Sequence, residues 1–207
     1  MENIIVSYNS VESEAFQTFT EIKNNYFDRK TTIISQAVLL KKKDGKITLL
    51  DSLDTGETTT DDTLKGGLIG ALVGILAGPF GLLLGFGVGT FIGSFVDMDD
   101  IEIESSLINA MTNRLKEGDM AIIILAQEED ESLLDELLNK YDTFITRYDA
   151  AFIEEEVENA NLVAADLKRQ AKEKLSEKRS AERKEKIDNY KIKMKNHFNQ
   201  LKKPFSS

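Results

Sequence analysis

Five acidic residues crowd one stretch of the chain: Asp97, Asp99, Asp100, Glu102 and Glu104. Carboxylate oxygens at that density can collect a hard cation. The run lacks the glycine turn and the terminal bidentate glutamate of a calcium-binding loop, so it reads as the solvated start of a helix and no metal is expected. His197 is the only histidine, and there is no cysteine. Thiolate chemistry and a disulfide framework are therefore excluded. His197 has no second histidine and no fixed acid partner, and reads as a surface residue rather than a general base. Gly85-Phe86-Gly87-Val88-Gly89 has the glycines of a dinucleotide loop, but no strand ends before it and no lysine follows as in a phosphate-binding loop. No catalytic residue and no cofactor is expected, which makes this a non-enzymatic protein.

The same glycines fit a regular pattern better. From Gly66 to Val96 the chain carries no charge, and glycine recurs every fourth position, first as Gly66, Gly70, Gly74 and Gly78, then as Gly81, Gly85, Gly89 and Gly93. Residues four apart share a helix face, so each ladder is a strip of backbone without Cβ atoms that lets another helix approach closely. Gly78-Pro79-Phe80-Gly81 breaks the run into two arms, a glycine-zipper helical hairpin. Each interior glycine costs about 1 kcal/mol of helix stability relative to alanine, so only a partner surface or lipid makes such an arm worthwhile. About 15 residues per arm give roughly 22 Å, short of the ~30 Å hydrocarbon core. The hairpin is expected to be re-entrant in a bilayer or buried among copies of the chain, with packing on its own sheet as the remaining alternative.

The elements around the hairpin follow from patterning. Ile4 to Tyr8 reads as a strand, and Val11 to about Asn25 as an amphipathic helix carrying Ala15, Phe19, Ile22 and Tyr26. Thr31–Leu40 and Ile47–Leu50 flank Asp44-Gly45, the signal for a hairpin whose turn needs two positive φ angles. Ile103 to Lys116 reads as a helix, with acids before it, Arg114 and Lys116 in its last turn, and Gly118 at its end. Met120–Leu125 is a buried strand, Asp130 opens a short helix with Leu133, Leu134, Leu137 and Leu138, and Thr143–Thr146 is the last strand. With Ile47–Leu50, the glycine stretch and the helix after it set aside, the order is strand, helix, strand, strand, helix, strand. That is α+β, a ferredoxin-like antiparallel sheet with helices on one face. The expected division is 1–53 and 117–150 as the ferredoxin-like domain, 54–116 as the hairpin insertion with its following helix, and 151–207 as a long charged C-terminal helix.

Charge separates the tail from the rest. The 207 residues carry a net −10, but those from Asp166 onward hold fourteen Lys and Arg against six Asp and Glu, a net +8 that leaves −18 elsewhere. An acidic body argues against nucleic acid as a partner, and no specific nucleic acid is expected. Ile187, Tyr190, Met194, Phe198 and Leu201 form an apolar stripe near the end of the tail, among Lys191, Lys193, Lys195, Lys202 and Lys203. Such a segment suits an anionic membrane surface or a neighbouring subunit equally. MENIIVSYNS carries no basic region followed by an apolar one, so a cytoplasmic origin is expected, at the membrane or as a soluble oligomer.

Leu64 to Phe95, the acidic Asp97–Glu104 segment, a helix, a strand such as Met120–Leu125 and a last helix and strand together resemble a bacterial family of unknown function labelled predicted membrane proteins. The resemblance covers roughly residues 1 to 150. It implies a glycine-rich apolar hairpin set within a ferredoxin-like α/β domain and carries over no catalytic residues; the long charged tail departs from it. The expected function is homo-oligomerisation through the glycine hairpin, with the lipid bilayer as a second partner. A small-ligand sensor built on the ferredoxin-like domain, and a soluble large oligomer with the hairpin at its interfaces, are the alternatives.

Overall fold

In the computed structural model, described for residues 2–24, 31–56, 67–78 and 106–202, the elements run β1 (Glu2–Asn9), α1 (Glu12–Asn24), β2 (Thr32–Lys43), β3 (Lys46–Asp54), α2 (Gly67–Ala77), α3 (Leu107–Arg114), β4 (Met120–Glu128), α4 (Ser132–Leu138), β5 (Thr143–Asp149) and α5 (Ala150–Lys202). The second ladder from Gly81 to Gly93, the acidic run Asp97 to Glu104, Gly66 and Lys203 lie outside the described residues. Two compact units result, Met1–Asn161 and Leu162–Ser207.

The sheet has the order β3-β2-β4-β1-β5, every pair antiparallel. With β3 removed from its edge, the remaining four strands have the ferredoxin-like arrangement, β1 and β4 central and each split β-α-β unit straddling a strand of the other. The β2–β3 hairpin turns at Asp44 and Gly45, whose φ angles of 53° and 69° are both positive as the Asp-Gly signal requires. Glu117 accepts from both amides of that turn, and those two hydrogen bonds, Gly45 first, hold its carboxyl below the ordinary range.

Alternation along the strands sends side chains to two cores. Ile5, Leu39, Ile122 and Ile124 face α1 and α4, where Ala15, Phe19, Ile22, Leu134, Leu137 and Leu138 close the layer. Ile4, Val6, Leu40 and Ile123 face the other way, toward α2, α3 and the start of α5, which contribute Leu72, Leu76, Leu107, Met111, Ile153 and Val157. The helices of the two split units, α1 and α4, thus share one face as expected, and the insertion and tail helices cover the other. The reason is visible in β4, where Met120 to Ala126 are all buried, an uninterrupted apolar run that alternation with water could not support. Each such isoleucine or leucine contributes roughly 1.5–3 kcal/mol when fully buried.

One local expectation changes. Gly118 does not end α3; the cap is Leu115 in extended geometry, and Gly118 sits three residues on, at φ 90°, donating its N–H to the Lys42 carbonyl. The first helical turn of α3 holds no acid. Arg114 lies in its last turn as expected, and the acids expected before it fall outside the described residues; Glu156 and Lys42, from distant parts of the chain, add charge at its two ends.

Candidate functional site

Entry into α2 is fixed at Gly67. Its φ is +74°, a left-handed backbone that favours glycine; a Cβ there would also lie 2.6 Å from the Gln36 side-chain oxygen, the movable end of a long side chain, so the backbone carries the constraint. Beyond it the helix has two unlike sides. Ile69, Leu72, Ile75 and Leu76 are buried against the sheet. Gly70 and Gly74 are exposed on the opposite side, and a Cβ at either would meet nothing within 4 Å. At Gly78 a Cβ would lie 2.3 Å from the Gly74 carbonyl oxygen. The first arm therefore packs its apolar side on its own sheet, and intramolecular packing among the described residues gives Gly70 and Gly74 no steric purpose. Among those residues, no helix is long and apolar enough to cross a membrane.

The helix that follows, α3, is held at both ends. Ser106 is its N-cap, accepting from the Asn109 amide at 3.1 Å and donating its hydroxyl to the Glu156 carboxylate. Glu156, on α5 and only 5% exposed, also accepts from the Leu107 and Ile108 amides at 3.0 and 3.1 Å. A carboxylate at a helix N-terminus meets orphan N–H groups and the positive end of the dipole. At the other end the Lys42 ammonium donates to the Leu115 carbonyl at 2.8 Å. No cation faces Glu156 in these hydrogen bonds. Burial pushes its carboxyl above the ordinary value, outweighing the Ser106 hydroxyl and the two amides that favour the charged form.

A second buried carboxylate lies on the other side of the sheet and is neutralised differently. The Glu128 side chain has no exposed surface, and Arg147 reaches it through Nε at 3.1 Å and Nη2 at 3.3 Å, with Asp135 taking a further bond from Nη2 at 2.8 Å. Burial opposes the guanidinium charge, yet the carboxylates raise the Arg147 pKa overall.

Neither Glu156 nor Arg147 stands out in the sequence as a candidate. Glu156 hides in Glu154-Glu155-Glu156, which reads as a solvated helix surface. The signal that could have found it is its spacing from Ile153, Val157 and Ala160, which places it on the apolar stripe and not opposite. Of the tail lysines, Lys191, Lys193 and Lys195 are exposed on α5, with Lys191 4.0 Å from Asp188; Lys202 closes the helix. His197 is exposed beside them. Among the described residues no group of histidine and acidic side chains is gathered closely enough to hold a metal ion.

Fold and surface together define a ferredoxin-like α+β protein whose second sheet face is closed by an apolar helix inserted between strands. Residues 63–180 match the family model described as "Protein of unknown function (DUF1269)", and the chain belongs to that family. The matched region runs from the glycine stretch through β5 and well into α5. The resemblance was expected to stop near residue 150; the start of the long helix is part of the matched region and not a departure from it, whereas β1 to β3 lie outside. No curated protein matches the chain, and no solved structure does.

Proposed function

We propose that this is a non-enzymatic assembly protein whose glycine face, Gly70 and Gly74 on α2, is the contact surface for another copy of the chain, in association with a membrane. The observation that carries this reading is the division of α2 into a buried aliphatic side and an exposed glycine side. Two glycines in the interior of an 11-residue helix cost about 2 kcal/mol against alanine. Packing within the described residues recovers none of it. A second helix laid across the strip recovers it in close backbone contact, through dispersion and Cα–H to carbonyl interactions.

The test is the double substitution Gly70→Leu with Gly74→Leu, read by sedimentation mass and by thermal unfolding. Both positions have room for a side chain, so the fold is expected to survive while the particle falls to monomer mass. An unchanged mass sinks the proposal. A lower melting temperature with unchanged mass assigns the strip to an intramolecular partner instead.

A sensor reading has one observation in its favour. The Tyr8 hydroxyl and the Thr146 Oγ1 are shielded from water and form no close hydrogen bond; burial first, then the neighbouring Tyr148, raises the Tyr8 pKa overall, although Thr146 lies near enough to lower it. A small polar effector would supply both oxygens with a closer partner than they give each other. A thermal-shift screen in which no small molecule stabilises the wild type more than a Tyr8→Phe variant removes this reading.

A further inference from the structure

The last third of α5, in the unit Leu162–Ser207, has a face that nothing in the chain's described packing uses. Ile187, Tyr190, Met194 and Phe198 are 46%, 66%, 45% and 58% exposed. At about 100° per residue these four fall within an arc of about 80°, with Lys191 and Lys195 within ~60° of one edge and Lys186 and Lys193 within ~60° of the other. Asn189, Asn196, Asn199 and Glu185 lie opposite, with Ile192 among them. The apolar arc is therefore bordered on both flanks by ammonium groups, and the far side is mainly neutral amide.

We infer that residues 186–199 form an amphipathic segment that lies flat on a bilayer surface carrying anionic headgroups. Charge complementarity selects this occupant. Between Lys186 and Asn199 four lysines face one acid, Asp188, whose nearest approach to Lys191 is 4.0 Å. Two rows of lysine parallel to the helix axis match a plane of negative charge with an apolar interior beneath it, each aliphatic stem lying along the apolar arc and each head reaching the headgroups. Pairing the same face with a second copy would set lysine rows against lysine rows. The inference stands on residues outside the glycine face and does not depend on it.

The experiment uses the full chain and co-sedimentation with two kinds of vesicle, phosphatidylcholine alone and phosphatidylcholine with an equal part of phosphatidylglycerol. Binding is expected on the anionic vesicles, with loss at high salt as screening shortens the reach of the lysines. Replacing Lys186, Lys191, Lys193 and Lys195 by glutamine keeps helix propensity, verifiable by circular dichroism, and is expected to weaken binding by about fivefold per lysine removed. Met194→Ser with Phe198→Ser is expected to weaken it further on the same vesicles. Equal binding of wild type and the glutamine variant to anionic vesicles, or equal binding of wild type to both kinds, overturns the inference. So does a fall in particle mass of the glutamine variant without lipid, which would assign the face to the acidic surface of another copy. Membrane contact through the glycine hairpin would survive both salt and the glutamine substitutions, so the two readings fail separately.

Discussion

The molecule buries two glutamates, one on each side of its sheet, and treats them oppositely. Glu128 is clamped by Arg147, a cation that stays charged at any working pH, with Asp135 completing the network. Glu156 has no cation in its hydrogen bonds; a hydroxyl, two amides and a helix end hold it, and burial raises its pKa. The first side is closed by α1 and α4, each adjacent in sequence to the strands it covers. The second is assembled from α2, α3 and α5, and its central hydrogen bonds link residues 48 to 50 apart. A local layer is fixed by an ion pair, whereas a layer gathered from distant segments is joined by a titratable group. The glycine face belongs to the second layer.

That contrast can be broken most forcefully at Arg147. Arg147→Met leaves Glu128 buried without its cation and is expected to lower stability by about 3–5 kcal/mol, measured by urea unfolding. Adding Glu128→Leu should restore most of the loss, since a well-packed apolar pair is often no worse than a buried ion pair. A single substitution costing under ~1 kcal/mol would show the network to be solvated after all. Glu156→Ala should cost less, about 1–3 kcal/mol, by orphaning the Leu107 and Ile108 amides and the Ser106 hydroxyl. Hydrogen exchange should then rise in α3 before it rises in α1 or α4; uniform acceleration would mean that the two layers are not separable. Gly67→Ala comes next, with a loss of about 1–2 kcal/mol from the left-handed backbone alone. The Gln36 amide can swing aside, so the backbone sets the loss, and a neutral result would place the entry to α2 differently.

The smallest effect is the pH dependence, and its sign is fixed. A carboxyl whose pKa is higher in the folded state than in the unfolded chain binds more protons when folded, so its contribution is complete below the ordinary value of 4.5 and is lost as pH rises through the raised folded value. The wild type should therefore lose stability over that window relative to Glu156→Gln, which cannot titrate. Parallel pH profiles for the two proteins would show that Glu156 does not carry the difference.

Much of this architecture is legible in the sequence. The Asp44-Gly45 turn, the apolar run of β4 and the order of strands and helices specify the ferredoxin-like sheet, because each rests on local periodicity or on a turn with one demanding geometry. The closure of the second face is less legible, since its contacts join residues far apart. Arg114 stands in the last turn of α3 as the sequence suggests, and the acids before the helix lie outside the described residues; Glu156 and Lys42 join the two ends in addition, a choice that only tertiary proximity makes. The glycine ladder showed that a strip exists, but not that the aliphatic side of α2 would go to the sheet and leave the strip outward.

The most direct test of that outward strip uses the absence of cysteine from the chain. Gly74→Cys places a single thiol on the proposed contact, and Ser13→Cys places one on the exposed surface of α1 as a control. A disulfide forms only when Cα atoms approach within roughly 4.4–6.8 Å, which a close glycine-face crossing provides. Under mild oxidation the account predicts a covalent dimer of the Gly74→Cys protein and little of the control; a Gly74→Cys protein that stays monomeric, or dimerises no faster than Ser13→Cys, would contradict it.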